Sequence, residues 1–406
     1  MIQKLLLICF LDMLSYAIFS PIVSFLFLDG RYSILTTNYT EYRHLLLGLF
    51  LSTYSAIQVF SAPFLGKLAL SVGKKKVLFF AFVGNVIGYL TCIFGIYRQE
   101  IYFLFAGAAV SGLTGANMPM IYAFISSLKN KSQWSRTFSL FGSAIGLAFT
   151  IGPFFTSYLM NHWSDMTVYY VTLGVCVVIS FINGALVLFF IKDTTSQTKA
   201  LQIKNPLRSL LQIVKLNKET KTLLLFLFLI YFSWFSFIKF FQVFLFENQN
   251  LNEDICCKLT SYLGLFCTIW QGMRFFLHKP YFEQKSFLNI CTVLMGISFS
   301  TYFLSSSIIH TVIHIILISF FYSMLIPSIL AVLFQKSMET KELTASFYQS
   351  VQSFAKILAP IIAGLLTSVT ASTPFFMSCT VFVAVLILTY SPASFTVGGK
   401  TVPTTS

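Results

Sequence analysis

Charge is scarce in this chain, and acids are scarcest. Only 10% of the 406 residues are charged, and only 13 are Asp or Glu. A water-soluble domain of this size needs more polar surface, so the composition excludes an ordinary soluble protein. The chain also lacks a P-loop, a nucleophile elbow and a zinc-binding motif. We therefore predict neither an enzyme nor a bound cofactor or metal.

Cysteine is equally sparse, with eight residues scattered along the chain. Cys256 and Cys257 are adjacent, an arrangement that rarely gives a good disulfide, and no C-x2-C spacing is present. We predict that the cysteines are packing residues.

Long apolar runs are abundant instead. The chain is 56% hydrophobic with a mean hydropathy of +0.80, and about 20 apolar residues suffice to cross a bilayer as a helix. This pattern predicts an all-α membrane protein with twelve transmembrane helices. The predicted spans are 4–28, 45–72, 77–97, 101–127, 138–160, 167–191, 222–246, 259–277, 287–305, 308–333, 345–367 and 374–391.

The basic residues are distributed unequally between the predicted loops. With the N-terminus inside, the inner segments hold 21 Lys and Arg and the outer segments hold four. This asymmetry predicts that both termini are cytoplasmic. The net charge of +14 is then a topology signal in a lipid bilayer, and no nucleic-acid partner is needed to explain it.

One long polar segment divides the spans six and six. We predict an N-terminal half over 1–191, a cytoplasmic central loop over 192–221, a C-terminal half over 222–391 and a cytoplasmic tail over 392–406. The halves echo each other weakly, as "IGP" at 151–153 and "LAP" at 358–360. Paired six-helix halves are typical of transporters built from repeats.

Several motifs carry a family resemblance. "QVFSAPFLGKLALSVGKKK" (58–76), "GAAVSGLTGANMPMIYAFI" (107–125) and the glycines of span 5 resemble the signature loop, fourth-helix motif and antiporter motif of the major facilitator superfamily, in its drug:proton antiporter branch of the tetracycline-efflux type. The resemblance implies that family's fold, with two pseudo-symmetric halves. The matching gate and motif residues are Gly66, Gly73, Lys74, Lys75, Gly112, Gly115, Gly146, Gly152 and Pro153. The family's Arg in the fourth-helix motif falls here on Ala108.

Ionisable residues inside the spans are the strongest candidates for function, because each costs about 2.5–3.5 kcal/mol on insertion scales. Asp12, nine residues before Pro21 as in the antiporter family, is the predicted proton-coupling group. Lys356, near the middle of span 11, is the predicted cavity cation, and we ask whether it pairs with Asp12. The other predicted cavity residues are Gln58, Asn117, Lys239, Gln242, Gln271, Arg274 and His314. Two of them have an alternative: Lys239 could instead extend to the outer surface, and Arg274 could be a topology residue at the inner end of span 8.

Three functions follow from these residues. The first is a proton-coupled transporter of a small organic solute, working by alternating access and favouring efflux. The alternative is a transporter of an anionic metabolite or polycarboxylate siderophore that uses the cavity lysines, and the third is a non-transporting sensor on the same scaffold. We expect a monomer in a bacterial inner membrane whose partners are the solute, protons and lipid.

Overall fold

A computed structural model of the protein describes residues 2–28, 34, 41–115, 117–118, 120–121, 134–163, 166–191, 216–277, 285–302, 307–336 and 341–370. These residues form eleven helices. They are α1 (Ile2–Leu28), α2 (Arg43–Val72), α3 (Lys74–Arg98), α4 (Ile101–Thr114), α5 (Trp134–His162), α6 (Thr167–Phe190), α7 (Lys218–Glu247), α8 (Glu253–Phe276), α9 (Lys285–Tyr302), α10 (Ile308–Lys336) and α11 (Lys341–Thr367).

Each helix coincides with a predicted span. Eight of them contain a segment long and apolar enough to cross a membrane, and α4 and α9 contain shorter apolar segments. The all-α prediction is confirmed. The predicted span 374–391, most of the central loop 192–221 and the tail 392–406 lie outside the described residues.

Eight helices begin two to six residues before their predicted spans, and for two of them the first turn gives the reason. α7 starts at Lys218 instead of 222, because the Asn217 side chain accepts a hydrogen bond from the Thr220 N–H at 3.2 Å and so caps the first turn. α8 starts at Glu253 instead of 259, because Glu253 and Asp254 in its first turn suit the positive end of the helix dipole. Polar capping residues extend these helices beyond the apolar pattern.

α4 covers only the first part of its predicted span of 101–127, and the described residues 117–118 and 120–121 of that span are again helical. It ends at Thr114, and Gly115 follows with φ −65° and ψ 61°, outside the helical region. The Gly115 carbonyl is free of the helix and accepts a hydrogen bond from the Gln58 side chain of α2 at 2.5 Å. The break therefore lies where α4 meets α2.

We refer to α1–α6 and α7–α11 as the two helix groups. One apolar cluster is built mainly by the second group together with Phe25 of α1. Two others are built mainly by the first group, and one of these includes Phe240 of α7 and Ala363 of α11. Some helices present rows of large exposed apolar side chains, as α3 does at Phe80, Ile87 and Phe94 and α6 at Phe181 and Phe189. Such rows suit a lipid surface. They support α3 and α6 as peripheral helices, which their lack of internal proline and charge also suggests.

Two helix pairs, α5 with α8 and α2 with α11, join the groups closely. A Cβ added at Gly146 of α5 would lie 2.6 Å from the Thr268 Oγ1 of α8. A Cβ at Gly48 of α2 would meet the Pro360 backbone of α11, and the Ser52 Oγ donates to the Ile357 carbonyl at 2.9 Å. Small residues thus let helices of different groups approach backbone to backbone.

Candidate functional site

Asp12 lies on α1 inside the first helix group, where it is only 4% exposed. Its Oδ1 accepts hydrogen bonds from the Asn117 Nδ2 at 2.7 Å and the Asn85 Nδ2 at 3.5 Å. Its Oδ2 and the Asn117 Oδ1 have no hydrogen-bond partner among the described residues. Two carboxamides, and no cation of the described chain, therefore hold this carboxylate.

A tyrosine and a glutamine of α2 border Asp12. Tyr54 lies close enough to interact electrostatically with both Asp12 and Tyr16. The Gln58 Nε2 lies 3.4 Å from the Tyr54 hydroxyl. Gly112 of α4 is needed here, since a Cβ would lie 2.6 Å from the Tyr54 carbonyl oxygen. Of the predicted cavity residues, Asn117 therefore bonds to Asp12 directly, whereas Gln58 contacts the neighbouring Tyr54.

Lys239 of α7 and Lys356 of α11 lie near enough for the charge of one to act on the other. The Lys239 Nζ donates to the Tyr16 hydroxyl of α1 and lies 4.9 Å from the centre of the Tyr16 ring. The Lys356 Nζ lies 5.5 Å from the centre of the Phe235 ring, and the charge of Lys239 acts on it. Neither lysine forms an ion pair within the described ranges, so Lys356 is not paired with Asp12.

Lys239 and Gln242 also line a small cavity between the two helix groups, whose volume of about 20 Å³ has room for about one water molecule. Leu51 of α2, Pro153 of α5 and Thr260 of α8 lie on its other sides. The Gln242 Nε2 donates to the Thr260 Oγ1 at 3.2 Å. Residues of both groups therefore meet at this point.

Three predicted cavity residues lie elsewhere. Gln271 of α8 packs against α5 at Gly142. Arg274 is buried between α8 and α10, where its Nη1 donates to the Met324 carbonyl at 3.4 Å. The His314 Nε2 lies 3.0 Å from the Thr301 Oγ1 in the second group. The structure does not place these three side chains beside Lys239 and Lys356.

The described motif residues shape the backbone at a helix junction and at a helix contact. Gly73 joins α2 to α3 with φ 98°, a left-handed conformation that favours glycine, and Lys74 and Lys75 follow in the first turn of α3. A Cβ at Gly152 would lie 2.6 Å from the Ala17 Cβ of α1, and Pro153 lines the central cavity. The surroundings of Gly66 are not among those that the structure describes.

One polar cluster between the helix groups has no counterpart in the sequence prediction. The Glu247 carboxylate at the end of α7 lies 2.9 Å from the Arg43 Nη2, and both its oxygens lie 2.9 Å from the His44 Nε2. We call this side of the bundle the Glu247 end. The sequence does hold a signal: span 7 ends on an acid and span 2 begins next to two basic residues.

A second acid joins the groups at the same end. Asp254 of α8 accepts hydrogen bonds from Ser157 at 2.5 Å and Asn161 at 2.8 Å, both on α5, and from Lys258 at 2.6 Å. Partial burial raises its pKa, but the hydrogen bonds from Lys258, Ser157 and Asn161 outweigh that effect and leave the pKa below its usual value. Asp254 is therefore ionised at neutral pH.

The described residues contain no group of three or more His, Cys, Asp or Glu side chains that could hold a metal ion. The seven described cysteines are buried and free, which confirms the predicted packing role for those seven.

Comparison with known proteins identifies a family and several relatives that the chain resembles. The family model of the Major Facilitator Superfamily matches residues 5–281. The tetracycline resistance protein, class H, of Pasteurella multocida is 30% identical over 106 residues, which are 26% of each chain. Major facilitator superfamily domain-containing protein 10 of Mus musculus is 30% identical over 112 residues, 28% of this chain and 24% of that protein. The alignments thus span about a quarter of each relative.

Structural comparison extends over nearly the whole chain. The crystal structure of the human organic anion transporter MFSD10 (TETRAN) aligns with a TM-score of 0.73 at 17% identity, over 95% of this chain and 98% of that one. At that identity the likeness concerns the fold.

Proposed function

The chain belongs to the Major Facilitator Superfamily, whose model matches most of its length, and on that premise we propose that it is a proton-coupled secondary transporter of a small organic solute. The halves 1–191 and 222–391 would rock about a central site, exposing it to each side in turn. Efflux is supported by the resemblance to tetracycline resistance proteins. The expectation of a transporter rather than an enzyme agrees with this family.

The observation that carries the proposal is that the buried acid lies one helical turn from a hydrogen bond with the other half. Asp12 and Tyr16 are one turn apart on α1, and Tyr54 interacts with both. Tyr16 in turn accepts the hydrogen bond of Lys239 from α7. A proton arriving at Asp12 therefore changes the charge within reach of the contact between the halves.

Asp12 suits a proton carrier because its neighbours are neutral. Asn85 and Asn117 can bond to the carboxylate, and an amide oxygen can accept from the protonated acid, whereas a lysine or arginine would hold the charged form. One oxygen of Asp12 and one of Asn117 have no partner in the described chain. Both atoms are therefore available for a hydrogen bond when the acid is protonated.

A second candidate, transport of an anionic solute, is favoured by the two lysines. A cation within a membrane is costly unless it is paired, and neither Lys239 nor Lys356 forms an ion pair with a carboxylate of the described residues. A solute carboxylate would supply the missing charge. The alternative of a non-transporting sensor has no observation of comparable weight.

Flux through purified protein in lipid vesicles tests the proposal, with and without an imposed pH gradient. We expect gradient-driven accumulation in the native protein and its loss in Asp12→Asn, which keeps the shape of the side chain but cannot release a proton. Glu100→Gln is the control, because it removes an acid that lies outside the predicted spans and pairs with Arg98 of the same half. Equal accumulation by Asp12→Asn and the native protein would disprove proton coupling through Asp12.

We also propose that the protein is a monomer in a bacterial inner membrane, with both termini and the central loop cytoplasmic. The Glu247 end then faces outward. Impermeant labelling of single cysteines introduced at Tyr42 and at Lys76, exposed residues at opposite ends of the bundle, tests this orientation. Labelling of Lys76→Cys but not Tyr42→Cys from outside would reverse it.

A further inference from the structure

α7 and α11 carry the same pattern of side chains. On each helix a tyrosine is followed after four residues by a planar side chain, and after four more by a lysine. Positions four apart lie on one face of a helix. We call this set the ladder, and its members are Tyr231, Phe235 and Lys239 on α7 with Tyr348, Gln352 and Lys356 on α11.

Contacts between the two helices join the rows. The hydroxyls of Tyr231 and Tyr348 lie 2.6 Å apart. At the other end Lys356 lies over the Phe235 ring, and the charge of Lys239 reaches it. The two rows therefore face one another, with tyrosines at one end and lysines at the other.

Between these ends the surface is aromatic. The Tyr231 and Phe235 rings stack with their centres 5.8 Å apart and an angle of 15° between their planes. The Gln352 Nε2 lies 3.4 Å from the Tyr348 hydroxyl. Phe235 and Gln352 are only partly buried, so a molecule between the halves could reach them.

The lysine end of the ladder suits an anion. Both lysines are partly buried on transmembrane helices, and their like charges repel each other. A single acidic group between them would neutralise that repulsion and accept hydrogen bonds from both ammonium groups. The Tyr16 hydroxyl already bonded to Lys239 places this end at the contact between the halves.

We propose that the ladder is a binding site for an aromatic organic anion. Its carboxylate or sulfonate lies between Lys239 and Lys356, its rings lie against Phe235, and its far end reaches the Tyr231–Tyr348 pair. Eight residues of helix separate the two ends, which corresponds to about 12 Å. The ligand is therefore an elongated molecule of about two rings. This inference deepens the second candidate of the proposed function by naming its substrate class.

Three probes of nearly equal size test separately whether the ligand needs a negative charge and whether it needs aromatic rings. Biphenyl-4-carboxylate has both the charge and the rings, biphenyl-4-carboxamide lacks the charge, and 4-cyclohexylcyclohexanecarboxylate lacks the aromatic faces. Binding to the purified full-length protein in detergent is measured by isothermal titration calorimetry. We expect the aromatic acid to bind at least tenfold more tightly than either of the other two probes.

Substitutions assign the roles. Lys239→Gln and Lys356→Gln should each weaken binding of the aromatic acid tenfold or more and leave the amide unchanged. Phe235→Leu should remove the preference for the aromatic over the saturated acid. Lys221→Gln, at a lysine ten residues before the ladder on α7, is the control and should leave the binding of all three probes unchanged. Lys356→Arg, which keeps the charge, should retain most of the affinity and thus shows that the site still folds.

The outcomes distinguish this inference from the proposed transport. Equal binding of the acid and the amide, or unchanged binding in both lysine variants, overturns the ladder even where vesicles show proton-driven flux of another solute. Tight, lysine-dependent binding of the aromatic acid by a protein that moves no solute upholds the ladder and rejects transport. Equal affinity for the aromatic and saturated acids overturns the aromatic requirement.

Discussion

Glu247→Gln is the substitution that should most readily open the Glu247 end. It keeps the shape of the side chain and removes the charge that faces Arg43 and His44. His44 and Glu247 are mostly shielded, with 11% and 18% of their side chains exposed, whereas Arg43 is 40% exposed. The His44 contact should therefore dominate.

The expected size follows from these exposures. A hydrogen bond to a charged group contributes about 1.5–3 kcal/mol, and an exposed ion pair about 0–1 kcal/mol. Glutamine retains one neutral hydrogen bond, so the net loss should be about 2 kcal/mol. This corresponds to a roughly 30-fold shift from the closed toward the open arrangement of the Glu247 end.

The assay measures access to the central cavity from that end. Leu51 lines the cavity and lies seven residues from His44 on α2, about 10 Å along the helix. In a Leu51→Cys protein, the rate of reaction with a membrane-impermeant maleimide reports opening, since the seven described native cysteines are buried. Glu247→Gln should increase this rate by an order of magnitude or more.

The matched control is Glu100→Gln. Glu100 also faces an arginine at this end, Arg98 at 3.9 Å, but both residues belong to the first half. It should leave the labelling rate unchanged. If both variants label equally fast, or if Glu247→Gln labels no faster than the parent, the closing role of Glu247 is refuted. The exchanged pair Arg43→Glu with Glu247→Arg should restore part of the slow labelling that Glu247→Arg alone loses.

Three further results are expected. Gly146→Leu should abolish transport because its side chain enters the α5–α8 contact, whereas Gly174→Leu should be tolerated because nothing lies within 4 Å of its Cβ position; equal loss in both flux assays contradicts this. Asn117→Ala should lower the free energy of unfolding of the detergent-solubilised protein by about 1–3 kcal/mol, because Asp12 loses a hydrogen-bond donor, and by less in an Asp12→Ala background. Equal losses in both backgrounds would show that the two residues stabilise the protein independently. Because the folded-state pKa of Asp254 is depressed, its stabilising contribution is complete above the unfolded-state pKa of about 3.9 and falls as the pH drops through the lower folded-state pKa; in acid unfolding curves, Asp254→Asn should remove this part of the pH dependence.

The sequence predicts the helices well because the apolar run is itself the physical requirement of a bilayer. It misplaces the ends of helices where something other than hydropathy determines them. Asn217 caps α7 before the apolar run begins, and Gly115 ends α4 inside a run that stays apolar. Both effects depend on local backbone bonds, which hydropathy does not record.

The site was only partly predictable. Asp12, Lys239 and Lys356 stand out because charge is rare inside a membrane, but which of them meet depends on helix rotation and packing. The question whether Asp12 pairs with Lys356 has a different answer in the structure: Asn117 bonds to Asp12, and Lys239 approaches Lys356. The repeated tyrosine-to-lysine spacing of α7 and α11 was readable in the sequence, and would have identified the ladder.

The close glycine contact between α5 and α8 has a consequence for turnover. Where the backbone of α8 at Gly264 meets that of α5 at Phe149, few side chains must leave their rotamers when one helix slides along the other. In the rocking motion that we propose, the short, directional bonds of Glu247 and Asp254 would instead have to break completely. The activation barrier should therefore lie with these two carboxylates, and the speed of the protein would be set by groups that never touch its solute.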